Sequence, residues 1–484
     1  MRSYARLGAL GFSAAAATAL AVASACSLGL DPSRFENDGS ISEGGAGDGG
    51  LDAPNPVQCK TDPDCKPANA CLTGHCDTGK GQCVYVVCPT QACNASTCDP
   101  NLHTCSVPSA YGFHAGTFNV ALGSAGCGGA RRCFTAVYPF VFVGTTNGVV
   151  AFAVDNPTSG APAAVPVAGL PFFPSSIVAS GGRVYFVGGV VGAGPDYKIP
   201  IAWLDVPTDP TVAEMAATTV FDTLPLPAVD AVYPDTTGGI YLVRADGGKS
   251  WPAARVTAPL KDLDTITFAP TTGLPSGSGT VAASGSRLVT FRQDNTGSFD
   301  TFFSLETSAG TGSAQNAGEQ SLLPTFGQSA GLNYLAQTPT GGLLWSASSI
   351  DAPDGGSPTT VSARVSWVLA DQNATKFDAT THVDVNTYNI AGANTDLPGP
   401  VAWLDDNTAL VVSAWPTNQA QSIVQLASRS GTPSVVPNRS FQLAFHPSEL
   451  AATSSNGFGY VLAPNTTTSP ASLDVHIFAA ACTN

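Results

Sequence analysis

Charge is the scarcest commodity in this 484-residue chain: Asp, Glu, Lys and Arg together make up 11% of it. Only 20 residues are Lys or Arg against 35 Asp or Glu, for a formal net charge of −15. Such a chain cannot replace the counterions around a phosphate backbone, so nucleic acid is excluded as a partner. Histidine is also thin, six in all and scattered, with no H-E-x-x-H pair and no regular EF-hand loop, which argues against a metalloenzyme. Beyond the first 25 residues no segment is long and apolar enough to span a bilayer.

What is abundant is the vocabulary of short strands and tight turns, with 51 Gly and 37 Pro. Phe140 to Val154, FVFVGTTNGVVAFAV, sets the pattern of two apolar β-branched and aromatic runs around Thr-Thr-Asn-Gly. Asn147-Gly148 reads as a hairpin turn with both residues at positive φ. A similar run returns at Val184, Ile240, Leu288, Leu343, Leu410 and Phe458, at gaps of 44, 56, 48, 55, 67 and 48 residues. Each copy is preceded by a short strand ending in a Gly/Ser/Thr/Asp turn and followed by a partner strand, for example IAWLDV at 201 or DVHIFAA at 474. A fourth strand follows in most units, as in TTVFDTL at 218, DTITFAP at 264, HVDVNTY at 382 and RSFQLAF at 439.

Four strands in each unit of roughly 40 to 50 residues is the period of a β-propeller blade. The fold class is therefore all-β, a seven-bladed propeller over residues 106–484. A pair of β-sandwich domains also gives regularly spaced short strands, but does not require one strand order in every unit. Gly116 to Leu122, GTFNVAL, is strand-like and precedes the first blade, while the last unit runs out of chain after Ala480. These two stretches are expected to pair antiparallel and close the ring.

The N-terminus reads as an export signal over residues 1–25: Arg2 and Arg6, then an Ala-rich apolar run from Leu7 to Ala25. Ala23-Ser24-Ala25-Cys26 resembles the lipobox of bacterial lipoproteins, which implies that Cys26 is acylated and that the protein is anchored in the envelope. Ser27 after the cysteine implies the outer membrane or cell surface, by the same resemblance. Ala23-Ser24-Ala25 also fits an ordinary A-x-A cleavage site, which would release a secreted or periplasmic protein. Setting Cys26 aside leaves twelve of the thirteen cysteines, enough for six disulfides. Residues 26–58, poor in large apolar side chains, read as a flexible linker. Gly45-x-Gly47-x-x-Gly50 within it has no strand before it and no helix after, so it lacks the geometry of a dinucleotide site.

Nine cysteines then fall between residues 59 and 105: Cys59, Cys65, Cys71, Cys76, Cys83, Cys88, Cys93, Cys98 and Cys105. Cys71, Cys76 and Cys83 recur, shifted by 22, as Cys93, Cys98 and Cys105. The stretch resembles the small EGF-like repeats of secreted proteins, which implies disulfide staples in place of a core. There is no C-x-x-C, so zinc is the weaker reading. Nine is odd, so one module cysteine needs an outside partner; the strand order assigns it Cys482 and pairs Cys127 with Cys133.

Gly327-Gln328-Ser329-Ala330-Gly331 matches the G-x-S-x-G elbow in letters, yet a strand rather than a helix is expected after it. With no catalytic set, a binding or adhesion module is the favoured function, directed at a protein or glycan. A structural or assembly lipoprotein and a propeller enzyme, glycan-active or lactone-cleaving, remain open. No cofactor is identified, and a Ca²⁺ in the central funnel would mark the catalytic alternative. The expected ligand face is where the innermost strands start, with Arg132, Asp230, Asn333 and Glu449 as its polar residues.

Overall fold

The computed structural model describes residues 59–482 apart from 67–71, 79–80, 88–92, 96–97, 100–103, 106–108, 122–131, 155–161, 190, 192–198, 222–228, 230, 235–237, 244–252, 257–262, 267–278, 285–286, 294–299, 307–319, 322–327, 338–342, 352–359, 371–376, 390–396 and 466–471. The signal segment, Cys26 and the linker lie outside it. Among the described residues there is no α-helix, and no helix long and apolar enough to cross a membrane.

The seven repeats fold as seven antiparallel sheets. Blade 1 is built from Phe134–Val137, Phe140–Thr145, Gly148–Ala153 and Ala164–Ala168, and blade 2 from Pro174–Ser180, Arg183–Gly188, Ile201–Asp205 and Thr218–Phe221. Blades 3 to 6 open with inner strands Ala231–Pro234, Gly279–Ser284, Gln328–Gln337 and Pro398–Asp405. Blade 7 combines Ala451–Ser455, Phe458–Asn465 and Ser472–Ala479 with an outer strand from far upstream, His114–Val120. Inner strands of neighbouring blades touch all the way round, and blade 7 returns to blade 1. The protein is therefore a closed seven-bladed propeller.

Ring closure follows the expectation, displaced by two residues: Leu473 pairs Val120, Val475 pairs Phe118 and Ile477 pairs Gly116, all antiparallel. A closed ring leaves no inner edge for another chain to extend. The blade 1 hairpin departs from expectation. Thr145 pairs Gly148, so the turn residues are Thr146 and Asn147, and only Gly148 takes a positive φ, of 125°. The Thr145 hydroxyl accepts from Asn147 N–H at 3.2 Å and donates to the Gly148 carbonyl at 3.1 Å, holding the turn from its own flank. Two-residue turns with both φ values positive occur instead at Gly181-Gly182, φ 57° and 83°, in blade 2 and at Asn456-Gly457, φ 54° and 77°, in blade 7. One strand was not anticipated: Met215–Ala216, from the connection in blade 2, adds in parallel to the outer edge of blade 1.

The core lies in the gaps between blades, because each sheet buries both faces against its neighbours. Between blades 7 and 1, Phe134, Val143 and Phe152 meet Phe118, Tyr460, Leu462, Val475 and Ile477. Between blades 6 and 7, Leu410, Val412 and Leu426 meet Val461, Ala463 and Phe478. Leu410 is fully buried, and its truncation to Ala costs about 2–5 kcal/mol. Hydrogen bonds cross other gaps: between blades 2 and 3 Tyr185 O–H donates to Gly238 at 2.6 Å, and between blades 5 and 6 Tyr388 O–H donates to Ala414 at 2.6 Å and Asn386 Nδ2 to Ser413 at 2.7 Å.

The cysteine module is two small hairpins in tandem. Leu72–Asp77 pairs with Gln82–Val87, which places Cys76 opposite Cys83; Cys98–Asp99 pairs with Thr104–Cys105, which places Cys98 opposite Cys105. The repeat of 22 residues in the sequence is thus a repeat of register. Cys59 bonds Cys76 and Cys65 bonds Cys83. The three sulfurs of Cys59, Cys65 and Cys76 lie together, but each is consumed in a disulfide and has no thiolate to offer a metal. Gly74 is obligatory, since a Cβ there would sit 2.2 Å from the Cys65 carbonyl oxygen. Cys482, just after the third strand of blade 7, bonds Cys93, so the module is stapled to the ring closure. Cys133 is disulfide-bonded, whereas Cys71, Cys88 and Cys127 lie outside the described residues.

Candidate binding face

An even number of antiparallel strands in each blade returns the chain to the same end of the ring, so all inner strands start on one face. Side chains just before or early in those strands surround the mouth of the central channel. Arg132 lies there, exposed, two residues before the inner strand of blade 1. Tyr233 stands on the inner strand of blade 3. Burial pushes the Tyr233 hydroxyl well above the usual phenol range, and the Arg132 guanidinium pulls against that shift. The guanidinium on blade 1 thus lies within electrostatic reach of a phenol on blade 3.

Blade 2 supplies the group that the sequence reading missed. Its inner strand is preceded by Pro171-Phe172-Phe173, whose two aromatic rings meet different surroundings, Phe172 half-buried and Phe173 exposed. Phe172 turns inward, where a Cβ on Gly188 would come within 2.8 Å of its ring. Phe173 turns outward and is 69% exposed, one of two large exposed apolar side chains among the described residues. Burying a Phe is worth about 1.5–3 kcal/mol, so this exposure forgoes a gain available on folding. The doubled Phe ahead of an inner strand was the available signal, since one strand edge can bury only one of them.

The other expected residues fare differently. Glu449 closes a short 3-10 turn, Pro447–Glu449, ahead of the inner strand of blade 7, and its carboxylate accepts the His446 N–H at 3.2 Å. His446 Nδ1 in turn accepts the Ser448 N–H at 3.2 Å, so Glu449 is committed to a capping box. Asn333 is a correction: the inner strand of blade 5 begins at Gln328, which leaves Asn333 mid-strand rather than at the mouth. It falls between the pairs Leu332↔Ala347 and Tyr334↔Ser346, at a bulge that lets the strand run longer than its apolar core suggests. Ser329 of the elbow-like pentapeptide lies inside the same strand and pairs Ser349 of the neighbouring strand, so no strand-turn-helix nucleophile geometry exists there. Asp230 lies outside the described residues. Arg132, Asn333 and Glu449 are joined by no described interaction. Arg132, Phe173 and Tyr233 thus precede or stand on the inner strands of three consecutive blades.

No family model and no curated protein matches the sequence. Solved structures similar to it over most of the chain include a polysaccharide lyase of family PL25, an ulvan lyase bound to -[GlcA(1-4)Rha3S]- (10% identity, TM-score 0.42, covering 76% of this chain and 96% of that one). Others are a functionally unknown protein from Desulfotomaculum acetoxidans DSM 771 (12%, TM-score 0.36, 76% and 93%) and a glucose dehydrogenase (12%, TM-score 0.30, 72% and 97%). The order of strands within and between the sheets, rather than these likenesses, establishes the propeller.

Proposed function

We propose that the chain is an exported binding module, lipid-anchored through Cys26, whose ring captures a ligand at the face where the inner strands start. The observation that carries this is Phe173, exposed at the start of blade 2 between the blades that supply Arg132 and Tyr233. An exposed ring and a guanidinium ahead of neighbouring inner strands fit a ligand that pairs an apolar or sugar-ring face with an anionic group, as a carboxylated or sulfated glycan does. A rigid, disulfide-stapled frame supports that role, because a preorganised face loses little entropy on binding. The disulfides also fit an oxidising compartment outside the cytoplasm.

The test is a glycan array carrying neutral, uronate-containing and sulfated oligosaccharides, probed with the wild type, Phe173→Ala and Arg132→Ala. Selective binding to the anionic set, weakened about tenfold or more by each substitution (about 1.4 kcal/mol), is the expected result. Binding that ignores both substitutions would move the site away from this face. Anchoring is checked separately by metabolic palmitate labelling, which Cys26→Ser should abolish.

A further inference from the structure

The seam that closes the ring carries a cluster of donors that neither packing nor the mouth explains. His114 and Thr117 stand on the outer strand of blade 7, and His476 on the strand beside it, directly opposite Thr117. Thr117 Oγ1 lies 3.0 Å from His114 Nε2 and 2.9 Å from His476 Nδ1, and the two ring nitrogens are 3.4 Å apart. Three donor atoms from two strands therefore point at one another.

We propose that His114 Nε2, His476 Nδ1 and Thr117 Oγ1 form one face of a binding site for a divalent transition-metal ion of the zinc or copper class, which clamps the closing strand to the ring. Two imidazoles bonded to one ion at about 2.0–2.1 Å with a near-tetrahedral angle place their nitrogens about 3.4 Å apart. At that bond length the two N···O separations correspond to angles near 90° at the metal, leaving the ion about 1 Å out of the plane of the donors with its outer positions open to water. Thr117 is exposed and both histidines are partly exposed, so an ion has access from solvent. Imidazole selects zinc, copper or nickel over calcium and magnesium.

The surroundings hold the donors in place. The His114 ring stacks on Phe441 of the outer strand of blade 6, with centroids 3.8 Å apart and planes 15° from parallel. Asp474, two residues before His476 on the same strand face, accepts from Asn119 at 2.7 Å and from Asn465 at 2.9 Å, which fixes a carboxylate beside the cluster. Burial first, and then the neighbouring His114 ring, push His476 down to about 4, and burial lowers His114 as well.

The experiment uses the whole chain made without a histidine tag, stripped with chelator, and titrated with Zn²⁺ and with Cu²⁺ by calorimetry and thermal denaturation. Saturable uptake of one ion with a rise in thermal midpoint is expected, and His114→Gln or His476→Gln should each weaken it at least about tenfold. His446→Gln, outside the cluster, should leave uptake unchanged. Pulsed electron paramagnetic resonance of the Cu²⁺ form of the wild type counts bound imidazoles without any substitution, and two are expected. No saturable uptake, uptake unaffected by both histidine substitutions, or a copper spectrum with fewer than two imidazoles would each overturn the site and leave the cluster a hydrogen-bonded triad.

Discussion

The disulfide between Cys93 and Cys482 spans a sequence separation of 389 residues, so nearly the whole propeller is threaded through one covalent loop. Chain entropy for a loop of that length gives a loss of roughly 20 cal/mol/K in the unfolded state, or about 6 kcal/mol at 25 °C. That is an upper figure, because shorter disulfides and residual structure already restrict the unfolded chain, and about 3–6 kcal/mol is the working range. The ring of about 370 residues from His114 to Ala479 has a melting entropy of roughly 0.8 kcal/mol/K, so the expected loss of thermal midpoint is about 4–8 °C. The perturbation is the double substitution Cys93→Ser with Cys482→Ser, which avoids leaving a lone thiol, read by calorimetry and by tryptophan fluorescence in urea. The closing strand should stay paired, since its own contacts with Leu473, Val475 and Ile477 are untouched. A midpoint within about 1 °C of wild type would refute the argument that this bond restrains the unfolded chain.

Three further outcomes follow from particular contacts. Gly181→Ala places a Cβ 2.6 Å from the Gly238 Cα at a φ of 57°, and should destabilise the gap between blades 2 and 3 by about 1–3 kcal/mol, measured as a lower urea midpoint; an unchanged midpoint would contradict the close approach. Tyr388→Phe strips the Ala414 carbonyl of its 2.6 Å donor and should cost about 1–3 kcal/mol, while in the wild type ultraviolet titration should show one tyrosine, pushed up to about 12 by burial, that disappears in the variant. His382 is lowered mainly by burial and next by the Arg364 charge, with Asp384 acting in the opposite sense. The unfolded chain therefore takes up its proton first, so this contribution to stability is complete above about pH 6.5 and is lost as the pH falls below it; His382→Asn should flatten that part of the stability profile, and an unaltered slope would count against it.

How much of this was legible in the sequence depends on whether a feature is local. The blades were legible because strand alternation and turn chemistry repeat within each unit, and even the closing strand announced itself, since GTFNVAL had no other partner and the last unit lacked a fourth strand. That Cys482 bonds the cysteine module followed from parity together with strand direction, but the choice of Cys93 within it did not. Where a residue's fate depends on a neighbour, the letters did not suffice. Asn333 looked like the start of a strand because the bulges that extend its strand to Gln328 leave no mark in hydrophobic pattern. Glu449 reads as a polar residue ahead of a strand, and the letters do not show that it also caps the His446 N–H three residues earlier.

The His114–Thr117–His476 cluster was invisible for a related reason: its members are up to 362 residues apart and meet only because the ring closes there. Closure itself makes such a place. Where every other outer strand follows its blade in sequence, the blade 7 strand arrives from the N-terminal side and must be recruited across the whole fold. Its inward residues Ala115, Phe118 and Val120 enter the core between blades 7 and 1. His114, Thr117 and Asn119 bond instead to side chains that blade 7 supplies, His476, Ser472 and Asp474. Apolar burial alone would tolerate a slip of two residues along this seam, since alternation repeats with that period. Side-chain pairing of Asn119 with Asp474 and Thr117 with His476 does not tolerate it. The polar row on the closing strand thus fixes the register in which the ring shuts, and the disulfide just beyond it holds that register against fraying.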